Sequence, residues 1–365
     1  MNKFSSSLFI FICLLLFGCS IANKKDPFDL RDQEIFDLEI EKTNIPELIN
    51  PMKINKVGKY LIISENPRIS PENPLLHVLD KESLTYLYPK GITGFGPLEI
   101  SNSTLIEEGF TDSTFINYSS QSKRLSEFSL SNESRLALSE YKQPEDLFMV
   151  YLSYHATDST IIGLMANDPN RLAEYSTKDG RRISGFGTWE KIPDTENLID
   201  YEDPLINYHL GEINKGWYKG NRALGLFVKA SIYRDRLEIF HYDTKKFDIV
   251  EGPRLELPDF TIRHSNGQSA VIFNPENAYG HRDIAIGEKY IYDLYGGFNQ
   301  AHINETNEIA KTIYIITHDG KVIGKLNLPV SLRSLEVDEK LRKIYGITTD
   351  EDPGIAVFDI PDKFL

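Results

Sequence analysis

The sequence predicts an all-β fold: a six-bladed β-propeller of four-stranded blades, closed by an N-terminal strand that completes the last blade. Three observations predict it. Short β-favouring runs recur along the chain with turn signals between them. They group into about six units at a period near 50 residues, which is the length of a propeller blade. Almost no apolar pattern of helical period interrupts them, Ser134–Tyr141 being the only plausible turn or two of helix. Tyr and Phe number 19 and 20, and aromatic residues favour strands. A single four-stranded sheet has two apolar faces and cannot bury both alone. Blades packed face to face around an axis bury both. The rival architecture is a pair of β-sandwich sheets.

The last units are the plainest. Ile313–Ile316 is a β run, and Asp319-Gly320 reads as a type I′ hairpin turn, which needs positive φ at both central residues. Val322–Leu328 runs back out. Leu335–Val337, Lys343–Ile347 and Ile355–Ile360 then supply three strands before the chain ends. The missing fourth is assigned to Ile35–Ile40, whose alternation puts Phe36, Leu38 and Ile40 on one side. Upstream, Val57–Ile63, Leu75–Asp80 and Leu84–Tyr88 form one unit. Asp112–Tyr118 with Ser126–Leu130 forms the next. Leu147–Ser153, Thr160–Met165 and Leu172–Tyr175, ending at the turn Asp179-Gly180, form a third. Ala223–Ile232, Leu237–Tyr242 and Lys246–Val250 follow, then Asp283–Ile286 and Tyr290–Tyr295.

The N-terminus reads as an export signal. Lys3 precedes Leu8–Phe17 (LFIFICLLLF), which carries no charge. That run is too short for a bilayer span of about 20 residues and fits a signal peptide. It ends in Leu16-Phe17-Gly18-Cys19, similar to the lipobox of bacterial lipoproteins, where the cysteine thiol is lipidated before cleavage. The expected organisation is a signal peptide over 1–18, a lipidated tether over 19–30 and the propeller over 31–365. Ser20, not Asp, follows Cys19, which leans towards the outer membrane of a Gram-negative envelope. The 2 cysteines are Cys13 and Cys19. The globular part therefore has no thiol, which excludes disulfides, cysteine catalysis, thiolate zinc sites and iron–sulfur clusters.

The formal net charge is −14, and no block of Lys or Arg stands out. Nucleic-acid binding needs a concentrated basic face and is not expected. No cofactor is expected, and the protein reads as a monomer.

Three local motifs carry a family resemblance. The first is Gly94-Phe95-Gly96-Pro97-Leu98-Glu99, repeated as Gly185-Phe186-Gly187-Thr188-Trp189-Glu190. The second is Ala278-Tyr279 with Asp283-Ile284-Ala285 and Lys289–Gly297. The third is Ile344-Tyr345-Gly346 with Val357–Ile360. With the lipobox and the acidic, cysteine-poor body, these resemble the TolB-like six-bladed propeller lipoproteins. The resemblance implies the fold and an exported, anchored location, and is nearly silent on activity.

Candidate site residues are few. The glycine pairs at 94/96 and 185/187 are read as interblade turns needing positive φ, since no helix opens after them to hold a phosphate. Tyr279, His281, Arg282 and Asp283 form a dense polar-aromatic cluster just before a strand. In a propeller the loop into an inner strand lies near the axial funnel. An aromatic face beside a donor fork and a carboxylate suits a small polar ligand such as a sugar or peptide. The alternative is that Arg282 and Asp283 bond neighbouring blades. None of the eight histidines has metal-ligand spacing. Asp350-Glu351-Asp352 lacks the alternation of a calcium loop and reads as an acidic turn. The function expected is a tethered module binding a glycan, a peptide or an envelope protein. The alternative is a lactonase-, lyase- or glycosidase-like propeller using the axial pocket.

Overall fold

Six four-stranded antiparallel meanders stand around one axis. In this computed structural model the described residues are 27–31, 34–144, 147, 150–265 and 268–365. The segment expected as a signal peptide, Cys19 and most of the segment expected as a tether lie outside them. Blade one is Pro51–Val57, Tyr60–Glu65, Leu76–Asp80 and Tyr86–Lys90. Blade two is Leu105–Glu108, Thr114–Ser119, Arg124–Ser129 and Ser139–Lys142, so the turn expected as helix at Ser134–Tyr141 ends in a strand. Blade three is Val150–Thr157, Thr160–Met165, Asn170–Ser176 and Arg182–Thr188. Blade four is Gly216–Asn221, Leu226–Ser231, Arg236–His241 and Lys246–Glu251. Blade five is Tyr279–Ile286, Tyr290–Phe298, Thr312–Thr317 and Val322–Asn327. Blade six is Leu332–Asp338, Lys343–Thr348 and Ile355–Asp359, completed by Glu41–Thr43. The first strand of each blade is innermost, and neighbouring inner strands pack against one another around the channel.

The ring is thus closed by N-terminal residues, but not by the segment assigned to it. Glu41–Thr43 pairs antiparallel with Ile355–Val357. Ile35–Asp37 instead adds a fifth, parallel strand to blade five, along Lys325–Asn327. Its alternation was read correctly, because Phe36, Leu38 and Ile40 all pack on the core shared by blades five and six. An alternating face tells which side is buried. It does not tell which free edge takes the hydrogen bonds. The acidic turn at Asp350 pins the closing strand: Lys42 Nζ donates to Asp350 Oδ2 at 2.8 Å and to the Asp352 carbonyl at 2.6 Å. The segment expected as tether is held at its end, where Phe28 packs edge-on against Tyr314 at 4.8 Å.

Each neighbouring pair of blades shares one apolar cluster. The strand period sorts side chains between them. Ile313 and Ile315 face the seam with blade six, and Tyr314 and Ile316 face the seam with blade four. Both Ile313 and Ile315 are fully buried, and each such side chain contributes roughly 1.5–3 kcal/mol of transfer free energy. The hairpin at Asp319-Gly320 is not type I′. Only Gly320 has positive φ, at 83°, and the register slips between Ile315 and Ile316. A longer turn ending in one left-handed residue, with a bulge, meets the same need.

Two insertions leave the ring on the face where the chain enters the inner strands, here the top face. One runs from Trp189 to Asn214 and holds helix α1 (Ile206–Ile213). The other carries the hairpin Phe260–Ser265 and Gln268–Phe273. They share their own core of Ile192, Ile199, Leu210, Ile213 and Phe260, and form an accessory unit. A second helix, α2 (Gln300–Thr306), follows the second strand of blade five.

Candidate functional site

The polar-aromatic cluster lies on the inner strand of blade five, and the structure divides it in two. That strand carries two register shifts. Across the second, His281 faces Tyr295 and Asp283 faces Leu294, so Arg282 is the extra residue of a bulge. The bulge turns consecutive side chains to different tasks.

Asp283 and His281 are both buried. Asp283, 7% exposed, joins three blades. Its Oδ1 accepts from Lys53 Nζ of blade one at 2.7 Å. Its Oδ2 accepts from Ser334 Oγ and from the Leu335 amide of blade six, the latter at 3.1 Å. His281 is fully buried, with Nδ1 2.9 Å from both carboxylate oxygens of Asp293. Burial raises the Asp293 carboxyl above its ordinary range, against the pull of His281. His281 therefore does not face the mouth of the channel, and Asp283 serves as the interblade bond weighed as the alternative.

Tyr279 and Arg282 stay half-exposed at the top mouth. The Arg282 guanidinium lies 5.0 Å over the Tyr279 ring. Among the described residues no carboxylate pairs with Arg282, and its buried Nε has no hydrogen-bond partner. Burial lowers its pKa and Arg333 lowers it further, while Tyr279, Tyr233 and the neighbouring Asp283 oppose the shift. Arg333, half-buried on the inner strand of blade six, also has no ion pair among the described residues; it donates to Asn50 Oδ1 at 3.2 Å. The accessory unit borders this mouth. Phe273 stacks on Tyr233 at 3.9 Å, and Tyr233 lies 5.4 Å from Tyr279.

Below the mouth is a cavity of about 130 Å³, lined by inner-strand residues of blades one to five, among them Lys53, Tyr154, Trp217, Lys219 and Asp283. Reasoning from sequence missed Lys53, Trp217, Lys219, Arg333 and Glu336. Their signal was faint: a charged or indole side chain in the first strand of a unit otherwise apolar inward. Lys53 sits 4.1 Å over the Trp217 ring. Burial pulls the Lys53 ammonium below its ordinary range, while Asp283 opposes the shift. Lys219 Nζ reaches from blade four to Asn55 of blade one at 2.7 Å and to Glu336 of blade six at 3.1 Å. Both carboxylates are committed to these donors, which suits them to hold blades rather than to take protons from a substrate. Among the described residues no group of three His, Cys, Asp or Glu side chains is placed to hold a metal.

The two glycine motifs differ in geometry. At Gly94–Glu99 the positive φ falls on Leu98, at 61°, not on a glycine. The glycines instead make room for Glu99: a Cβ on Gly94 would lie 2.0 Å from its Oε2. That oxygen accepts from the Gly96 amide at 2.8 Å. Gly185 and Gly187 belong to the outer strand of blade three rather than to a turn, and only Gly187 has positive φ, at 64°.

Comparison with known proteins agrees with this architecture. The chain superposes on a member of the DUF4221 family from Bacteroides vulgatus ATCC 8482 with a TM-score of 0.54 and 13% identity, covering 88% of this chain and 98% of that one. It superposes on a protein from Bacteroides fragilis NCTC 9343, described as exported, with a TM-score of 0.55 and 11% identity, covering 89% and 98%. At such identities the likeness is one of fold. No curated protein matches the chain. Residues 154–340 match the family described as TolB-like 6-blade propeller-like. With half its length matched and a ring of six four-stranded blades, the chain belongs to the TolB-like 6-blade propeller-like family.

Proposed function

We propose that the protein is an exported binding propeller, lipid-anchored through Cys19, whose top mouth takes a small polar ligand bearing an anionic group. One observation carries the reading. Arg282, over Tyr279, and Arg333 are half-buried cations that no carboxylate pairs with among the described residues, in a chain of net charge −14. Holding a guanidinium partly out of water without a direct ion pair costs free energy, and a ligand anion recovers it through bidentate bonds. The ring of Tyr279 offers the apolar face that a sugar or peptide would need. The anchor is argued from the Leu16–Cys19 motif, and the Bacteroides fragilis neighbour is itself described as exported. No helix among the described residues is long and apolar enough to cross a membrane.

The test is a screen of acidic and neutral glycans and peptides against the mature chain in detergent. Acidic ligands should bind, and Arg282→Ala with Arg333→Ala should weaken them on the order of tenfold or more. Ligands that bind the double variant as tightly as the parent would overturn the reading. Mass spectrometry of the same sample should find diacylglycerol on Cys19, and an unmodified thiol there would remove the anchor.

A further inference from the structure

A second polar recess opens on the top face, between blades three and four. The chain leaves the outer strand of blade three at Trp189 and passes over it as far as Pro193. The recess holds about 250 Å³. Its walls are Arg171 of blade three, Arg234, Arg236 and Glu238 of blade four, and Trp189 with Asn214 from the insertion.

The charges do not balance without help. Arg171, Lys229 and Arg236 are buried at 5%, 3% and 5% exposure, and Arg234 is half-buried. Against them stand Glu238, buried at 2% exposure, and Glu251 at the rim. Burial disfavours the Glu238 charge, but Lys229, Arg171 and Arg236 together outweigh it and hold the carboxyl below its ordinary range. Glu251 Oε1 accepts from Arg234 at 3.0 Å and also from Arg236. The remaining charge is met from outside. Glu190, with 69% of its side chain exposed, reaches back to Arg171 at 3.1 Å and to Arg236 at 3.7 Å. Arg171 Nε stays buried with no hydrogen-bond partner.

An exposed carboxylate on a flexible stem contributes little to a fold and is readily displaced. Its target is the opposite: two arginine forks held rigid by burial, one with a donor left over. Glu190 therefore occupies the position of a ligand's carboxylate. A recess of this size is smaller than a drug-sized pocket and has room for one sugar residue, with Trp189 as its flat wall. Lys229 lies 5.1 Å from the Trp189 ring and adds to the positive field.

We infer that this recess is a binding site for an acidic monosaccharide residue, whose carboxylate replaces that of Glu190 between Arg171 and Arg236. The site uses none of the axial residues, so its fate is separate from that of the top mouth. Calorimetry on the mature chain in detergent, with D-glucuronate, D-glucose and acetate, tests it. Glucuronate should bind, and glucose and acetate should bind far more weakly. Glu190→Gln removes the internal competitor at an exposed position and should tighten glucuronate on the order of tenfold, while Arg171→Gln should abolish binding. Arg282→Ala should leave glucuronate unaffected. Thermal melts of each variant, Glu190→Gln included, separate a lost site from a lost fold. Absence of glucuronate binding at millimolar concentration would overturn the proposal. So would equal binding of acetate, or an affinity that Glu190→Gln leaves unchanged or weakens.

Discussion

Two sets of cations sit within one molecule and differ in their partners. In the channel, Lys53 and Lys219 each reach a carboxylate on another blade, Asp283 and Glu336. At the top mouth, Arg282 and Arg333 have no carboxylate partner among the described residues. Arg282 and Asp283 are adjacent in sequence, yet the bulge sends one to the mouth and the other into a three-blade junction. A charged residue on an inner strand is therefore not a site by virtue of its charge. Its pairing decides whether it holds the ring or stands at the mouth without an ion pair.

The largest effect that would break this comparison is at the junction. Asp283→Ala leaves Lys53 without its counter-charge and strips acceptors from Ser334 and Leu335. Losing one partner of such a pair destabilises by about 3–5 kcal/mol, to be read from urea unfolding. A loss below about 1 kcal/mol would show that the junction is not structural.

A second test separates the ring from the accessory unit above it. His209 is buried at 1% exposure, with Nε2 2.6 Å from Ser269 Oγ of the hairpin. Burial lowers its pKa from the ordinary 6.5, with Asp203 opposing and His264 adding to the shift. The folded unit resists a proton that the unfolded segment accepts. Its stability is full above pH 6.5 and falls as the pH drops through that value. At pH 5.5 the protection factors across the Phe260–Phe273 hairpin, taken against the intrinsic exchange rate at that pH, should therefore fall while those of Leu226–His241 of blade four hold. His209→Gln should flatten that dependence. Equal loss of protection in both segments would mean that the unit and the ring open together.

The smallest effect on stability is expected at Arg282. Arg282→Ala removes a group with no ion pair, so unfolding should shift within about 0.5 kcal/mol, even where ligand binding is lost. A large shift would place Arg282 with Asp283 among the structural residues.

Much of the fold was legible. Alternation in Phe36–Ile40 named the buried face correctly, the β run at Ile313–Ile316 lies in a strand, and left-handed glycines at Gly180 and Gly320 marked real turns. Helix α2 was legible and overlooked: Asn299 caps its start by accepting from the His302 amide, and Asn307 ends it in a left-handed conformation. Helix α1 offered no such signal. Leu205 stands at its N-cap without a side-chain hydrogen bond, and no acidic residue occupies its first turn. It is held by the apolar residues it shares with a hairpin roughly 50 positions later.

The sequence by itself determined what depends on neighbours along the chain: strands, turns, the number of units and the need for blades to cover one another. Tertiary structure alone decided what depends on residues far apart. Lys53 meets Asp283 across 230 positions and Lys219 meets Glu336 across 117. Glu41–Thr43, rather than Ile35–Asp37, completes the last blade. A strand's period is a property of its own backbone, but an edge or a counter-charge belongs to whichever segment the closed ring brings beside it.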